Sequence, residues 1–396
     1  MTLVCGTYQL TAAVRWVTAL LTSTVSLRKV RYSQTITGNL VALQDAQHSS
    51  PANSLSAQDS QPWASPPLGS ASKKEDPTLA EILKPLGYAT GQFGKNHLGD
   101  RNEFLPTVHG FDEFFGNLYH LNAEEETMDV DYPDDPAFKA RLGPRGVMHS
   151  WAIDTDDETI DSRFGKVGKQ RIEDTGPLTP KRMERVDEEF MDAAFKFMEK
   201  SDADDKPFFV WLNTTRMHVF THVPPEYLDK AKAYTSGADV HCAGMLQHDE
   251  HIGLILKKLD DMGIADDTVV IYSTDNGPEH STWPHGSTTP YRSEKMTTWE
   301  GGVRVPMMVR WPDNIPAGSE LNGIHCGEDV FVTLAAIAGA PDIKDRLAKG
   351  DMLGTEVNHR CYIDGLNQLD YWSGKKSESA RDIFYYYEEA SFRAIR

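Results

Sequence analysis

The chain of 396 residues carries 40 Lys and Arg against 59 Asp and Glu, a formal net charge of −19 with histidine neutral. That excess of acid excludes non-specific nucleic-acid binding, which needs a basic surface. It also repels an anionic substrate at long range, so an anion site here needs its own local cations. With 39% apolar and 25% charged residues the composition is that of a folded globular chain, long enough for one large α/β domain or two domains. No apolar run is long enough to span a bilayer. Cys5, Cys242, Cys326 and Cys361 stand far apart without CxxC spacing, which indicates neither a zinc site nor a dense disulfide framework.

In chain order, the run Trp16–Leu27 is apolar but broken by Thr and Ser, and Arg15 is the only charged side chain before it. No small-x-small cleavage pattern follows, so the run is a weak version of a secretory signal. The piece from Asn39 to Asp45 reads as a short strand ending in an acid. Residues 45–74 are rich in Ser, Gln, Ala and Pro without helical or strand period, as in a linker. A boundary is therefore expected near 74: an unassigned, largely irregular segment 1–73, then an α/β domain 74–396 whose part 340–396 leads into a smaller C-terminal subdomain.

After Lys74, Pro77 stands near the first turn of a helix with Leu79, Ile82, Leu83 and Leu86 on one face, and Gly87 closes it. Tyr88 to Phe93 is a short strand candidate leading into Gly94-Lys95-Asn96-His97. On an extended segment Lys95 and His97 point to one side, and Gly94 and Gly99 permit close backbone approach. That arrangement suits an anion, although a Lys and a His in a surface loop are also ordinary. Asn122 to Asp161 reads as acidic and irregular, with Glu124-Glu125-Glu126 as a solvated face. Arg182 to Lys200 is an amphipathic helix, with Val186, Phe190, Ala194 and Phe197 on one stripe. Phe208 to Leu212 is continuously apolar, as in a strand buried on both faces. It is followed by a loop carrying His218 and His222; of these, His218 is the functional candidate and His222 a plain loop residue. Met245 to Met262 is a second amphipathic helix, ended by Gly263.

Thr268 to Ser273 is a second buried-strand pattern, and it ends in Asp275-Asn276-Gly277. Asp275 and Asn276 offer a carboxylate and an amide oxygen side by side, hard donors suited to Ca²⁺ or Mg²⁺; the triplet is also a common turn. Pro306 to Pro312 is a further short strand, and Val330 to Ala338 a helix capped by Gly339. Helices and strands alternating in this way predict an α/β fold with parallel connections, whose chemistry lies at the carboxyl ends of the strands.

Two long motifs carry a resemblance. Asp275-Asn276-Gly277, Lys295 and Trp299-Glu300-Gly301-Gly302-Val303-Arg304-Val305-Pro306, together with the upstream Gly87-Tyr88-Ala89-Thr90-Gly91-Gln92-Phe93-Gly94-Lys95-Asn96-His97-Leu98-Gly99, resemble the sulfatase family of the alkaline-phosphatase-like superfamily over residues 74–396. The resemblance implies a mostly parallel sheet flanked by helices, with the start of a smaller C-terminal sheet in 340–396. It implies an arylsulfatase-type sulfuric ester hydrolase acting on a small-molecule sulfate ester with Ca²⁺ (or Mg²⁺), in a periplasmic or secreted setting. By motif, Asp275 and Asn276 would bind metal, Lys95 and Lys295 would bind sulfate oxygens, and His97 and His218 would orient the nucleophile or protonate the leaving oxygen.

Two family parts have no match. No Asp pair follows an apolar strand near the N-terminus, and no cysteine begins the Cys/Ser-x-Pro/Ala-x-Arg motif that supplies the formylglycine nucleophile. The nearest pattern, Ser49-Ser50-Pro51-Ala52-Asn53, has Asn where the motif has Arg. Three expectations therefore stand: a sulfatase; a non-catalytic or truncated relative that binds anions; or a phosphatase or phosphodiesterase of the same superfamily.

Overall fold

The computed structural model describes residues 39–43, 76–235, 239–281, 286, 288–351, 360–388 and 391–396. The run Trp16–Leu27, Asp45 and the Ser49–Asn53 pattern lie outside the described residues.

Strands β1 (Asn39–Leu43), β2 (Ala89–Gly94), β3 (Glu113–Asn117), β4 (Val147–Asp161), β5 (Gly165–Asp174), β6 (Phe208–Asn213), β7 (Thr268–Ser273) and β8 (Met307–Arg310) form one eight-stranded sheet in the order β5-β4-β3-β2-β6-β1-β7-β8. The five inner strands, from β3 to β7 across the sheet, are mutually parallel. β4, β5 and β8 add antiparallel edges. The short stretch Asn39–Leu43 is a strand, and it occupies the central position between β6 and β7, with Val41 opposite both Val210 and Val270.

The buried runs are apolar because helices cover both faces of the sheet. In β6 the alternate residues Phe208, Val210 and Leu212 face a layer that includes Phe190, Ala194 and Phe197 of helix α3 (Val186–Ala203) and Ile255 and Leu259 of helix α4 (Val240–Met262). The intervening Phe209 and Trp211 face Val330, Leu334 and Ile337 of helix α6 (Gly327–Ile337), with Ala80 and Leu83 of helix α1 (Leu79–Leu83). β7 repeats the division, with Val270 on the first face and Val269 and Ile271 on the second. Burial of each of these large side chains contributes about 1.5–3 kcal/mol, and the two layers fix the register of the inner strands. At the C-terminus, Tyr385–Glu388 and Ser391–Ile395 pair as a separate antiparallel sheet.

The stretch 122–161 departs from the irregular chain expected of it. It holds helix α2 (Leu121–Glu125) and most of a long β4–β5 hairpin. The outer half of β4 is exposed and pairs only with β5, so it has no buried face to impose apolar alternation. The solvated face expected at 124–126 is also corrected in part, since Glu124 is only 2% exposed.

Candidate active site

Because the inner strands are parallel, their carboxyl ends open on one edge of the sheet, and the loops that follow carry the candidate residues. β2 gives way to Lys95, whose backbone N–H donates to the Asn213 carbonyl at 2.9 Å, while Asn213 Nδ2 donates to the Lys95 carbonyl at 3.2 Å. On the other side the Asn96 N–H donates to Asn117 at 2.8 Å. The segment bearing Lys95 and His97 is thus tied to the ends of both β6 and β3. A Cβ at Gly94 would lie 1.8 Å from the Asn213 carbonyl oxygen, with φ at +101°, so the position requires glycine.

His218 follows β6 on a loop anchored from below. Arg216 and Asp187 form an ion pair at 3.5 Å with both side chains fully buried. Asp187 Oδ1 accepts from the Thr215 N–H at 2.7 Å, and Arg216 Nη2 donates to the Met183 and Glu184 carbonyls and to Gln247 Oε1. His248 of α4 links the ends of two strands, with Thr214 Oγ1 3.4 Å from its Nδ1 and Tyr272 Oη 3.2 Å from its Nε2.

Lys295 arrives from the connection between β7 and β8. Its N–H donates to the Pro278 carbonyl at 2.9 Å, Gly277 N–H donates to Gly302 at 2.8 Å, and Gly301 N–H donates to Arg292 at 2.8 Å. The short helix α5 (Glu300–Val303) packs backbone against backbone here, since a Cβ on Gly301 would fall 1.9 Å from the Ser293 carbonyl oxygen. The glycines of the Trp-Glu-Gly-Gly motif are therefore what lets this loop fold back and present Lys295.

The structure brings His218 and Lys295 together, with Nζ 3.4 Å from Nε2. Lys295 also donates to Glu279 Oε2 at 2.9 Å. The His218 ring lies parallel to that of His120, with centroids 5.5 Å apart and planes at 3°, and His97 meets His120 edge-on at 5.4 Å. Lys95 belongs to the same group, because its charge acts on both His120 and His218. His120 was not singled out from the sequence. It follows β3 and caps α2, its Nδ1 accepting from the Ala123 N–H at 3.2 Å. His222 instead bonds to Glu125, with its Nε2 2.6 Å from Glu125 Oε2.

Burial, reinforced by the Lys95 and Lys295 ammonium groups, lowers the basicity of His120 and pushes His218 down to about 3. His218 Nδ1 lies 3.1 Å from the Val219 carbonyl, which places the proton of the neutral ring there and leaves Nε2 to accept from Lys295. Two ammonium groups thus flank neutral imidazoles. An arriving oxyanion would offset the lysine charges and raise the basicity of His218.

Asp275 and Asn276 stand at the end of β7, and their own hydrogen bonds are local: Thr274 Oγ1 to Asp275 at 3.5 Å, and Asn276 Nδ2 to the Gly277 carbonyl at 2.7 Å. Their free oxygens fit a hard cation in kind. Among the described residues no group of three or more His, Cys, Asp or Glu gathers as a metal site, and the pair alone would supply only a minority of the about six to eight oxygens that Ca²⁺ takes.

Fold and site together define an α/β protein with a cationic, histidine-lined centre at the carboxyl edge of a mostly parallel sheet. A family model described as Sulfatase matches residues 19–340, and the chain belongs to the sulfatase family. It is 29% identical over 325 residues to arylsulfatase G of Canis lupus familiaris, covering 78% of this chain and 54% of that protein. It is 30% identical over 313 residues to N-acetylgalactosamine-6-sulfatase of Sus scrofa, covering 78% and 50%. The crystal structure of the PsFucS1 sulfatase from Pseudoalteromonas sp. superposes with a TM-score of 0.67 at 25% identity, covering 82% of this chain and 60% of that one. The fold is the alkaline-phosphatase-like one, and the chain spans about half the length of the curated relatives it matches. Among the described residues no helix is long and apolar enough to cross a membrane.

Proposed function

We propose that this chain carries the sulfate-ester site of an arylsulfatase-type hydrolase acting on a small-molecule ester. The observation that carries the reading is the contact of Lys295 Nζ with His218 Nε2 at 3.4 Å, inside a group that also holds Lys95, His97 and His120. Lys95 and Lys295 would take the sulfate oxygens and offset charge growing on them in the transition state. His218 would gain basicity as the anion enters and return a proton to the departing alcohol oxygen. His97 would orient the nucleophile or share that transfer, and His120, stacked on His218, would keep the ring in register. Asp275 and Asn276 would hold part of the shell of a divalent cation, Ca²⁺ or Mg²⁺, whose contribution when bound is to polarise the ester.

A second reading, an anion-binding relative without turnover, rests on one sequence observation. No cysteine begins the formylglycine motif, and Ser49-Ser50-Pro51-Ala52-Asn53 lacks its Arg. The test is release of sulfate against phosphate from matched 4-nitrophenyl esters, paired with calorimetric binding of inorganic sulfate to the wild type and Lys295→Ala. The proposal expects faster sulfate release and binding weakened by about 1–3 kcal/mol in the variant, as for a lost charge-assisted bond. Sulfate binding without release selects the second reading, and a phosphate preference sinks the sulfatase assignment. Unchanged binding in Lys295→Ala removes that residue from the site.

A further inference from the structure

Lys295 is held between two partners of different charge. Its ammonium group has three N–H donors; one meets the His218 ring at Nε2, 3.4 Å away, and one meets the Glu279 carboxylate at Oε2, 2.9 Å away. The third can take a ligand oxygen. Glu279 is kept at this place by bonds on both sides of it in the chain. Before it, the Gly277 N–H donates to the Gly302 carbonyl at 2.8 Å, and the Pro278 carbonyl accepts from the Lys295 N–H at 2.9 Å. After it, the His280 and Ser281 N–H groups both donate to Glu294 Oε2. The segments 277–281 and 294–295 are thus zipped together with the ion pair between them, and the Lys295 and Glu279 side chains are only 21% and 22% exposed. A tetrahedral ammonium places acceptors on two of its donors roughly 4–5 Å apart at ordinary hydrogen-bond lengths. An anion on Lys295 therefore lies beside a negative charge that the backbone holds in position.

We propose that Glu279 sorts anions by charge: bonded to Lys295, it lets a singly charged sulfate ester stay and turns away a doubly charged ion. The inference rests on the sulfate-ester reading above and adds a specificity-determining residue to it. In the overall reaction a sulfate monoester and water give an alcohol, a sulfate dianion and a proton. The ester S–O bond breaks, and a new S–O bond forms to an oxygen supplied by water. One proton of the water ends on the departing alcohol oxygen and the other in solvent, so the ligand's one negative charge becomes two. A phosphate monoester already carries about −1.5 to −2 near pH 7. Glu279 therefore disfavours the product and the phosphate analogue together, while Lys295 still holds the substrate. With charges roughly 6 Å apart and an effective dielectric between about 20 and 80, the repulsion lowers affinity about 3- to 100-fold for each unit of ligand charge.

The experiment measures calorimetric affinities of methanesulfonate, with one charge, and inorganic sulfate, with two, at low ionic strength, where screening is weak. Neither ion has an ester bond to cleave. The proteins are the wild type, Glu279→Gln, which keeps an acceptor for Lys295 without the charge, and Glu279→Asp, which keeps the charge. Methanesulfonate should bind Glu279→Gln about threefold or more tighter than the wild type, and sulfate should gain about the square of that factor. The sulfate-to-methanesulfonate affinity ratio therefore rises about threefold or more in Glu279→Gln, and stays within about twofold of wild type in Glu279→Asp. Added salt should shrink the difference between the wild type and Glu279→Gln. Equal gains for the two ions, no gain in Glu279→Gln, or the same rise in Glu279→Asp would overturn the assignment and leave the anion site standing. Failure of both ions to bind any of the three proteins would instead fault the anion site, and the assignment would fall with it.

Discussion

The loop that presents His218 depends on a buried charge pair, and replacing Asp187 by Asn isolates the charge. Asp187 Oδ1 accepts from the Thr215 N–H at 2.7 Å and from Thr215 Oγ1 at 3.0 Å, bonds that an Asn side chain keeps. Asp187 Oδ2 accepts no hydrogen bond and faces Arg216 Nη1 at 3.5 Å, with neither side chain exposed. In Asp187→Asn an amide donor would face the guanidinium, and the Arg216 charge would lose its partner. At an effective dielectric near 20 the lost attraction over that distance is about 5 kcal/mol, and breaking a buried pair from one side typically costs about 3–5 kcal/mol. For a chain of this size that corresponds to a fall in Tm of roughly 4–6 °C. Calorimetric scans of wild type, Asp187→Asn, Arg216→Met and the double variant would measure it. The cycle should show a coupling of about 2 kcal/mol or more, and sulfate affinity should fall in Asp187→Asn because His218 lies two positions beyond Arg216. A Tm within about 2 °C of wild type would show that the pair is effectively solvated, and would refute the claim that it fixes the His218 loop.

Three further outcomes follow from the same structure. Ca²⁺ should raise the Tm of the wild type but not of Asp275→Ala, since a ligand of the native state stabilises it; equal shifts would remove the pair from any cation site. His218, held near 3 by burial and the two lysines, is neutral in the folded chain and charged in the unfolded chain below pH 6.5. Its contribution to stability is therefore complete above that pH and is lost progressively as pH falls toward 3; His218→Gln should flatten the fall in denaturation midpoint between pH 7 and pH 4, and parallel curves would refute the assignment. Burial pushes the Glu124 carboxyl up to about 8, with the Gly146 N–H and Arg182 pulling it partly back. A raised acid stabilises most below pH 4.5 and loses that stability as pH climbs through 8. Glu124→Gln should thus be more stable than wild type at pH 8.5 and no more stable at pH 4, and an equal difference at both would mean that Glu124 does not titrate in this range.

Sequence legibility followed burial. β6 and β7 were readable because helices cover both their faces, which makes Phe208–Leu212 and Thr268–Ser273 continuously apolar. α3 and α4 were readable because each buries one stripe. The outer half of the β4–β5 hairpin buries neither face, so its acidic sequence carried no strand period. Lys95 and His97 showed in the sequence as an alternation on extended chain, and Lys295 only through the resemblance of the motif that holds it. His120 has no such marker. Its ring is placed by capping α2, a role usually taken by Ser, Thr, Asp or Asn, so neither strand period nor cap preference could point to it.

The same division explains how the site is built. Parallel strands packed on both faces cannot slip in register without exposing apolar surface, so their carboxyl ends are fixed points. β2 delivers Lys95 and His97, β3 delivers His120, β6 delivers His218, and β7 delivers Asp275 and Asn276. What the strands leave undetermined is the direction each loop takes. Here that is settled by polar contacts out of reach of any local pattern: Asp187 with Arg216, Glu125 with His222, and the backbone bonds around Gly277 and Gly301. Those contacts join segments far apart in sequence, with 97 positions between Glu125 and His222. In a chain so acidic, the anion role proposed for the two lysines is supported by the low basicity of His120 and His218 beside them. Glu279, an acid bonded to Lys295, is 22% exposed, and an entering oxyanion would compete with it for the ammonium group. The resting charge balance at Lys295 is therefore held by a group that can be displaced toward solvent, whereas the balance at Arg216 is held by one that is sealed in. The first arrangement suits exchange of a ligand, and the second suits keeping the loop still while that exchange takes place.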